Sequence, residues 1–432
     1  MKTAALGFQH VLAMYAGAIL VPLIVGESLG LTSEQLTYLV AIDILMCGVA
    51  TILQVVSNRY FGIGLPVVLG CTFTAVGPMI AIGGQYGISA IYGAIIVSGV
   101  FVVLISGFFG KLVRFFPPVV TGTVVTIIGI TLIPVAINNL GGGEGAPDFG
   151  SLTNISLGFG TLLFIILMYR FAEGFVKSIS ILIGLIVGTI AAACMGRVDF
   201  TAVAEASYFH MVQPFYFGSP TFEWSAIITM VLVAMVSLVE STGVYFALSD
   251  ITEKKLDEKD LSKGYRAEGL AIFLGGIFNA FQYTAFSQNV GLLQMTGVKS
   301  RKVILVTGAM LITLGFIPKI AALTTIIPTA VLGGAMIAMF GMVIAQGIKM
   351  LGKVITNSPE NSMIIACSVG MGLGVTVVPE IFAQLPSGIQ ILTSNGIVAG
   401  SVTAITLNIV FNMTPSRRKA AAELSALRKQ EA

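Results

Sequence analysis

From residue 88 to residue 110 the chain contains no Asp, Glu, Lys or Arg, only apolar residues relieved by Gly, Ser and one Tyr. A run of about 20 such residues matches the hydrocarbon thickness of a bilayer crossed as a helix. Runs of similar length lie near 5–25, 36–56, 117–137, 155–172, 177–196, 225–248, 303–320, 327–349, 361–378 and 388–412. Charged residues make up 10% of the chain and hydrophobic ones 56%, which excludes an ordinary soluble domain. The expected fold is an all-α polytopic membrane protein in a lipid bilayer. A net charge of +3, with no basic face interleaved by aromatics, argues against a nucleic-acid partner. Only Met1 to Thr3 precede the first run, so no cleavable leader is expected.

Two regions depart from the pattern. Residues 62–84 begin Gly62-Ile-Gly64-Leu-Pro66, and residues 264–298 are too long for one crossing and too polar for two ordinary ones. Counting the latter as two crossings gives about fourteen spans. Arg59, Lys111 with Arg114, Arg170 with Lys177, Lys254 to Arg266, Lys299 to Lys302, Lys349 with Lys353, and Arg417, Arg418, Lys419, Arg428 and Lys429 then share one side. Glu27, Glu34, Glu144, Asp148 and Glu380 fall on the other, where only Arg197 and Lys319 are basic. By the positive-inside rule both termini are cytoplasmic.

Pro117-Pro-Val-Val120-Thr-Gly122 is echoed 211 positions later by Pro328-Thr-Ala-Val331-Leu-Gly333. With an odd number of spans per half, the repeats are inverted, as in many secondary transporters. The two irregular spans, third and tenth, correspond, and such interruptions mark midplane binding sites. Leu65 to Gly70 favours extended backbone, with a half-helix starting near Thr72. Phe281 to Ser287 is also strand-like, and Ser287 is expected to cap a half-helix running to Thr296. Two kinked continuous helices are the alternative.

Glu240, deep in the eighth span, is the most isolated carboxylate. A central acidic residue costs roughly 3 kcal/mol to insert, so its presence points to substrate N–H binding, proton uptake or a protonated structural bond. Gln288 and Asn289 both donate and accept in one plane, which suits a planar heterocycle and also interhelical bonding. Phe73 and Phe286 either flank a flat ring or pack as core. Glu268 suits a salt bridge to Arg266 or a neighbouring lysine, or a proton relay, and His10, after Gln9, suits a hydrogen-bonded packing role ahead of direct ligand contact. Cys47, Cys71, Cys194 and Cys367 form no CxxC pair and are read as buried small hydrophobes, not metal ligands. HExxH, GxSxG and Walker motifs are missing, so neither an enzyme nor a cofactor is expected.

Gln288-Asn289-Val290-Gly291 followed by Thr296-Gly297, with Gln9-His10, Glu240 and Glu268, resembles the nucleobase-ascorbate transporter family, and the similarity extends over essentially the whole chain. The resemblance implies a fourteen-span 7+7 inverted repeat with short extended segments in spans 3 and 10. It divides the chain into core segments 1–112 and 223–322 (spans 1–4 and 8–11), gate segments 113–222 and 323–412 (spans 5–7 and 12–14), and a basic tail, 413–432. It further implies a homodimeric, proton-coupled importer of the bacterial inner membrane, driven by the proton gradient through an elevator-like movement. By position Glu240 and Gln288 would hold the base, the backbone near Thr72, Phe73 and Ser287 would complete the site, and Phe73 and Phe286 would flank the ring. Asn289 would join them in binding, Glu240, Glu268, His10 and Gln9 would carry or support proton coupling, and Gly291, Thr296 and Gly297 complete the signature. Gln288-Asn289, and Val244 where uracil-type members place a histidine, favour xanthine first and uric acid second over uracil. An anion carrier of the same architecture would need a cationic centre at the half-helix N-termini, and neither irregular span has one.

Overall fold

A backbone inside hydrocarbon must satisfy its own N–H and C=O groups, so the apolar runs wind into helices. The computed structural model describes residues 2–112, 116–352, 354, 358–386, 390, 393 and 395–413. It opens with α1 (Lys2–Ser28) and α2 (Ser33–Val55). The Thr32 hydroxyl accepts the Gln35 N–H while the Gln35 side chain accepts that of Thr32, a capping box that fixes where α2 starts.

The third span breaks where Gly62, Gly64 and Pro66 predict. It becomes strand β1 (Leu69–Cys71), a 3-10 turn over Phe73–Ala75, and half-helix α3 (Val76–Tyr86). There follow α4 (Ile88–Leu112), α5 (Pro118–Leu140), α6 (Leu152–Phe171), the short α7 (Gly174–Ser178), α8 (Ser180–Cys194) and α9 (Thr201–Glu205). The second half repeats the plan with α10 (Trp224–Thr252), α11 (Glu258–Ile277), strand β2 (Tyr283–Ala285) and half-helix α12 (Ser287–Thr296). It continues with α13 (Arg301–Gly315), α14 (Pro318–Thr325), α15 (Thr329–Leu351), α16 (Pro359–Val377) and α17 (Gly396–Asn408).

Among the described residues nine helices are long and apolar enough to cross a membrane, and α13 with α14, bent by 80°, makes a tenth span. The other expected crossings do not pass as single apolar helices. α3 and α12 are half-length, α8 has 15 residues, and α11 carries a charged first half.

β1 and β2 form an antiparallel ladder that joins the two halves, with Leu69 opposite Ala285, Gly70 opposite Thr284 and Cys71 opposite Tyr283. Two further bonds extend it, Thr72 N to Gln282 O at 2.8 Å and Phe286 N to Val68 O at 2.9 Å. A two-stranded ladder has two open edges, and hydroxyls from neighbouring helices cover them. Thr51 of α2 accepts the Leu69 N–H at 3.0 Å and Ser241 of α10 accepts the Ala285 N–H at 3.0 Å. Asp43 of α2 accepts the Phe281 N–H at 3.0 Å and a bond from the Cys71 thiol, anchoring the approach to β2.

The chain divides into two units: Met1–Gly110 with Leu132–Gly341, and Lys111–Thr131 with Met342–Ala432. The sequence echo is structural. Pro117 O accepts the Val120 and Thr121 N–H groups, Pro328 O accepts those of Val331 and Leu332, and each motif opens a helix of 23 residues. In the first unit a Cβ on Gly333 would lie 2.1 Å from Leu140 N; in the second a Cβ on Gly122 would lie 2.9 Å from Leu351. Each glycine lets α5 and α15 approach at equivalent points of the repeat. Within the second unit α16 packs on α17.

Among the described residues, the ion pairs between loops join loops assigned to the same side: Arg197 with Asp148 at 2.7 Å, and Lys299 with Glu253 at 2.9 Å. The Arg197 guanidinium holds the Asp148 carboxyl below its ordinary range. Cys47 and Cys71 are buried as expected, whereas Cys194 and Cys367 are exposed on apolar helix faces. The tail from 414 to 432, Arg114, Lys353 and residues 387–389, 391, 392 and 394 of the last expected span lie outside the described residues.

Candidate functional site

The strand ladder hands the chain to two half-helices, and the residues discussed here all belong to the first unit. At the end of β1 the Thr72 hydroxyl caps the Phe73–Ala75 turn by accepting the Thr74 N–H at 3.2 Å. At the end of β2 the cap position belongs to Phe286, without a side-chain cap bond; Ser287 is the first helical residue instead of the expected cap. The N-termini of the two half-helices bring free N–H groups and positive dipole ends to the ladder. Thr296 and Gly297 close α12: the Thr296 hydroxyl donates to Leu292 O at 2.9 Å, and Gly297 takes the left-handed conformation, φ 66°, that favours glycine. Gly291 lies on an open face.

α10 packs against β2, α12, α3 and the Phe73–Ala75 turn, so the helix bearing Glu240 touches both halves of the break. Its hydroxyls, one helical turn apart, stitch it there. Ser237 donates to the Thr72 hydroxyl at 3.3 Å, and Ser241 lies 3.2 Å from the Thr284 hydroxyl. Ser241 also donates to Glu268 Oε1 at 2.8 Å, and the Tyr245 hydroxyl donates to Glu268 Oε2 at 2.7 Å. Glu268 is fully buried and forms no salt bridge to Arg266, whose guanidinium bonds Ser106 and Ser262.

Several acceptors beside the break have no partner. Among the described residues Glu240, partly exposed, has no hydrogen bond or ion pair, and Gln288 Oε1, Asn289 Oδ1 and the Thr74 hydroxyl are buried without one, as are both ends of the Gln282 amide, Asn279 Nδ2 and the Tyr283 hydroxyl. The Asn289 amide hydrogens are already committed, to His10 Nδ1 at 3.1 Å and His10 O at 3.1 Å, which leaves Oδ1 as its free group. As Nδ1 accepts, the network assigns the His10 proton to Nε2. His10 is 2% exposed and held by these bonds. Gln9 is half-buried.

Phe73 meets Phe340 edge-on at 5.6 Å. Phe286 lies in a slot between glycines: a Cβ on Gly70 would fall 1.5 Å from its ring, and one on Gly17 3.3 Å from it.

Asp43, Ser237, Ser241, Thr284 and Tyr245 were not among the residues singled out in the sequence. The Ser237, Ser241, Tyr245 spacing along the Glu240 helix was the available signal. The Asp43, Cys47 and Cys71 ligand atoms lie within 4.8 Å of one another, which the 24 positions between the cysteines did not announce. Hydrogen bonding to the strand crossing accounts for Asp43 and Cys71.

Residues 1–381 match a family described as a permease family. The chain is 68% identical over 418 residues to the xanthine permease of Bacillus subtilis (strain 168), covering 97% of this chain and 95% of that one. It is 66% identical over 406 residues to the uric acid permease PucK of the same organism, covering 94% of each. Among solved structures, the transmembrane domain of the cyanobacterium bicarbonate transporter BicA superposes with a TM-score of 0.64 at 15% identity, covering 93% of this chain and 96% of that one; this likeness is one of fold.

Proposed function

The chain belongs to this permease family, the nucleobase-ascorbate transporters, and on that premise we propose that it carries an oxidised purine base, xanthine first, across a bacterial cytoplasmic membrane together with protons. The observation that carries the reading is the set of unpartnered acceptors on α10 and α12, Glu240, Gln288 Oε1 and Asn289 Oδ1, with the Thr74 hydroxyl, which can accept or donate, on the turn after β1. Acceptors in a largely apolar setting call for a ligand rich in N–H donors, since leaving them unmet costs about 1–3 kcal/mol each. Xanthine offers ring N–H groups on several edges, and its carbonyls suit the Gln288 amide hydrogens and the half-helix N–H groups.

In this reading Glu240 and Gln288 hold opposite edges of the base, and Thr72, Phe73, Phe286 and Ser287 form the surrounding wall. Glu268 takes the coupling proton. The fourteen-span topology with both termini cytoplasmic, the core and gate segments, the elevator-like movement and the homodimer follow from the family resemblance. Uric acid is the second reading, favoured by the 66% identity to a protein named as a uric acid permease. Gln288, where uracil-type members carry glutamate, argues against uracil, and the fold shared with a bicarbonate transporter does not supply a cation at the half-helix N-termini.

Uptake of radiolabelled xanthine in permease-deficient cells, with uric acid and uracil as competitors and with a protonophore, tests the proposal. Saturable, protonophore-sensitive xanthine uptake that uric acid reduces and uracil leaves unchanged is expected. Uptake of uracil in preference to xanthine would overturn the substrate, and indifference to the protonophore the coupling.

A further inference from the structure

Gln54, fully buried near the end of α2, was not singled out in the sequence, yet its amide is fully engaged. Its Oε1 accepts the Ile63 N–H at 3.2 Å, and its Nε2 donates to Gly264 O at 3.1 Å and to the Tyr245 hydroxyl. The Ile63 N–H can only donate and the Gly264 carbonyl can only accept, so the orientation of the amide is set by its neighbours. With Gln54 donating into its oxygen, the Tyr245 O–H is directed to Glu268 Oε2. That carboxylate oxygen is therefore held as an acceptor.

Oε1 has a different neighbour. Ser241 donates to it at 2.8 Å, and the Thr284 hydroxyl is 3.2 Å from Ser241. A serine hydroxyl rotates, so Ser241 can turn its hydrogen toward Thr284 and accept one from Oε1–H. Its second lone pair keeps the Ala285 N–H of β2.

We propose that Gln54, acting through Tyr245, is a positioning residue that confines the coupling proton to Oε1 of Glu268, the oxygen facing Ser241 and the strand crossing. The proposal rests on the proton-symport reading above. A proton arriving by way of Ser241 forms the Oε1–H bond and neutralises the carboxylate; on release that bond breaks, the proton leaves by the same hydroxyl, and Ser241 again donates to Glu268. Tyr245 and Gln54 keep their protons throughout. Glu240 and Tyr245 of α10 and Tyr265 of α11 lie within electrostatic reach of Glu268. The elements packed against α11 also carry Asp43 and Cys47 on α2, Tyr92 on α4 and Tyr283 on β2, which interact with one another and not with Glu268.

The test separates exchange from accumulation in proteoliposomes supplied with radiolabelled xanthine. Gln54→Glu keeps the size of the side chain but replaces the donor to Tyr245 by an acceptor, which reverses the chain and draws the proton to Oε2. Tyr245→Phe removes the link with little change of packing. Exchange at equal pH needs no net proton release and is expected within about threefold of the unaltered protein, whereas accumulation driven by a pH gradient falls at least about tenfold in both variants. Exchange and accumulation falling in proportion, or accumulation unchanged, would overturn the proposal. If Gln54→Glu does not assemble, Tyr245→Phe decides alone. An unaltered protein that exchanges xanthine without accumulating it removes the symport reading and the proposal together; one that accumulates it while the variants behave in proportion removes only the proposal.

Discussion

Two glutamates on neighbouring helices have opposite surroundings. Glu268 is enclosed and receives two hydroxyl donors, whereas Glu240 is partly exposed and receives none. Binding a ligand needs a free acceptor, and holding a proton needs a carboxylate whose hydrogen bonds can rearrange. Replacing Glu240 by glutamine keeps its shape and removes the charge. Xanthine uptake by Glu240→Gln is expected to fall at least about tenfold, the loss of one charge-assisted hydrogen bond, while protein levels in the membrane stay unchanged. Uptake at the original rate would make Glu240 a structural residue. Glu240 was legible in the sequence because a lone carboxylate among apolar residues has few explanations. The His10 to Asn289 contact was not legible, because 279 positions separate the partners and only the fold brings them together.

At the scale of the element, the ladder depends on close approach at Gly70. A methyl group there would fall 1.5 Å from the Phe286 ring, whose other side faces Gly17. Gly70→Ala is expected to destabilise the protein by about 1–3 kcal/mol and to lower its melting midpoint in detergent by about 2 °C or more. Combining it with Phe286→Leu should recover part of that loss. An unchanged midpoint for Gly70→Ala would show that the ring is free to retreat. Pro66, the paired valines and Gly70 announced extended backbone before any helix, so the break itself could be read in advance. The edge contacts of Thr51 and Ser241 could not, since an isolated hydroxyl in a helix reads the same whether it bonds its own backbone or a strand. Ser287 resembled a cap by residue type, but strand pairing through the Phe286 N–H places the boundary one residue earlier.

Across the whole molecule, the Pro-x-x-Val-x-Gly echo became two helices of equal length that begin with the same turn. A short match could identify the repeat because a proline and a glycine at fixed spacing specify a helix start and a close contact. The half-length α3 and α12 and the charged α11 do not pass as single apolar helices, and their reading as crossings rests on the alternation of loop charge. The ladder between Leu69–Cys71 and Tyr283–Ala285 has a consequence for how the chain may be divided. Each strand comes from a different half, so neither half can complete the ladder from its own sequence. Cleaved in the segment between α9 and α10 and expressed as separate polypeptides, the halves are expected to find one another and restore xanthine uptake, while either fragment alone gives none. Activity from a single fragment would contradict this. Transport is then a complementation phenotype, requiring an intact pair of fragments and not an intact chain.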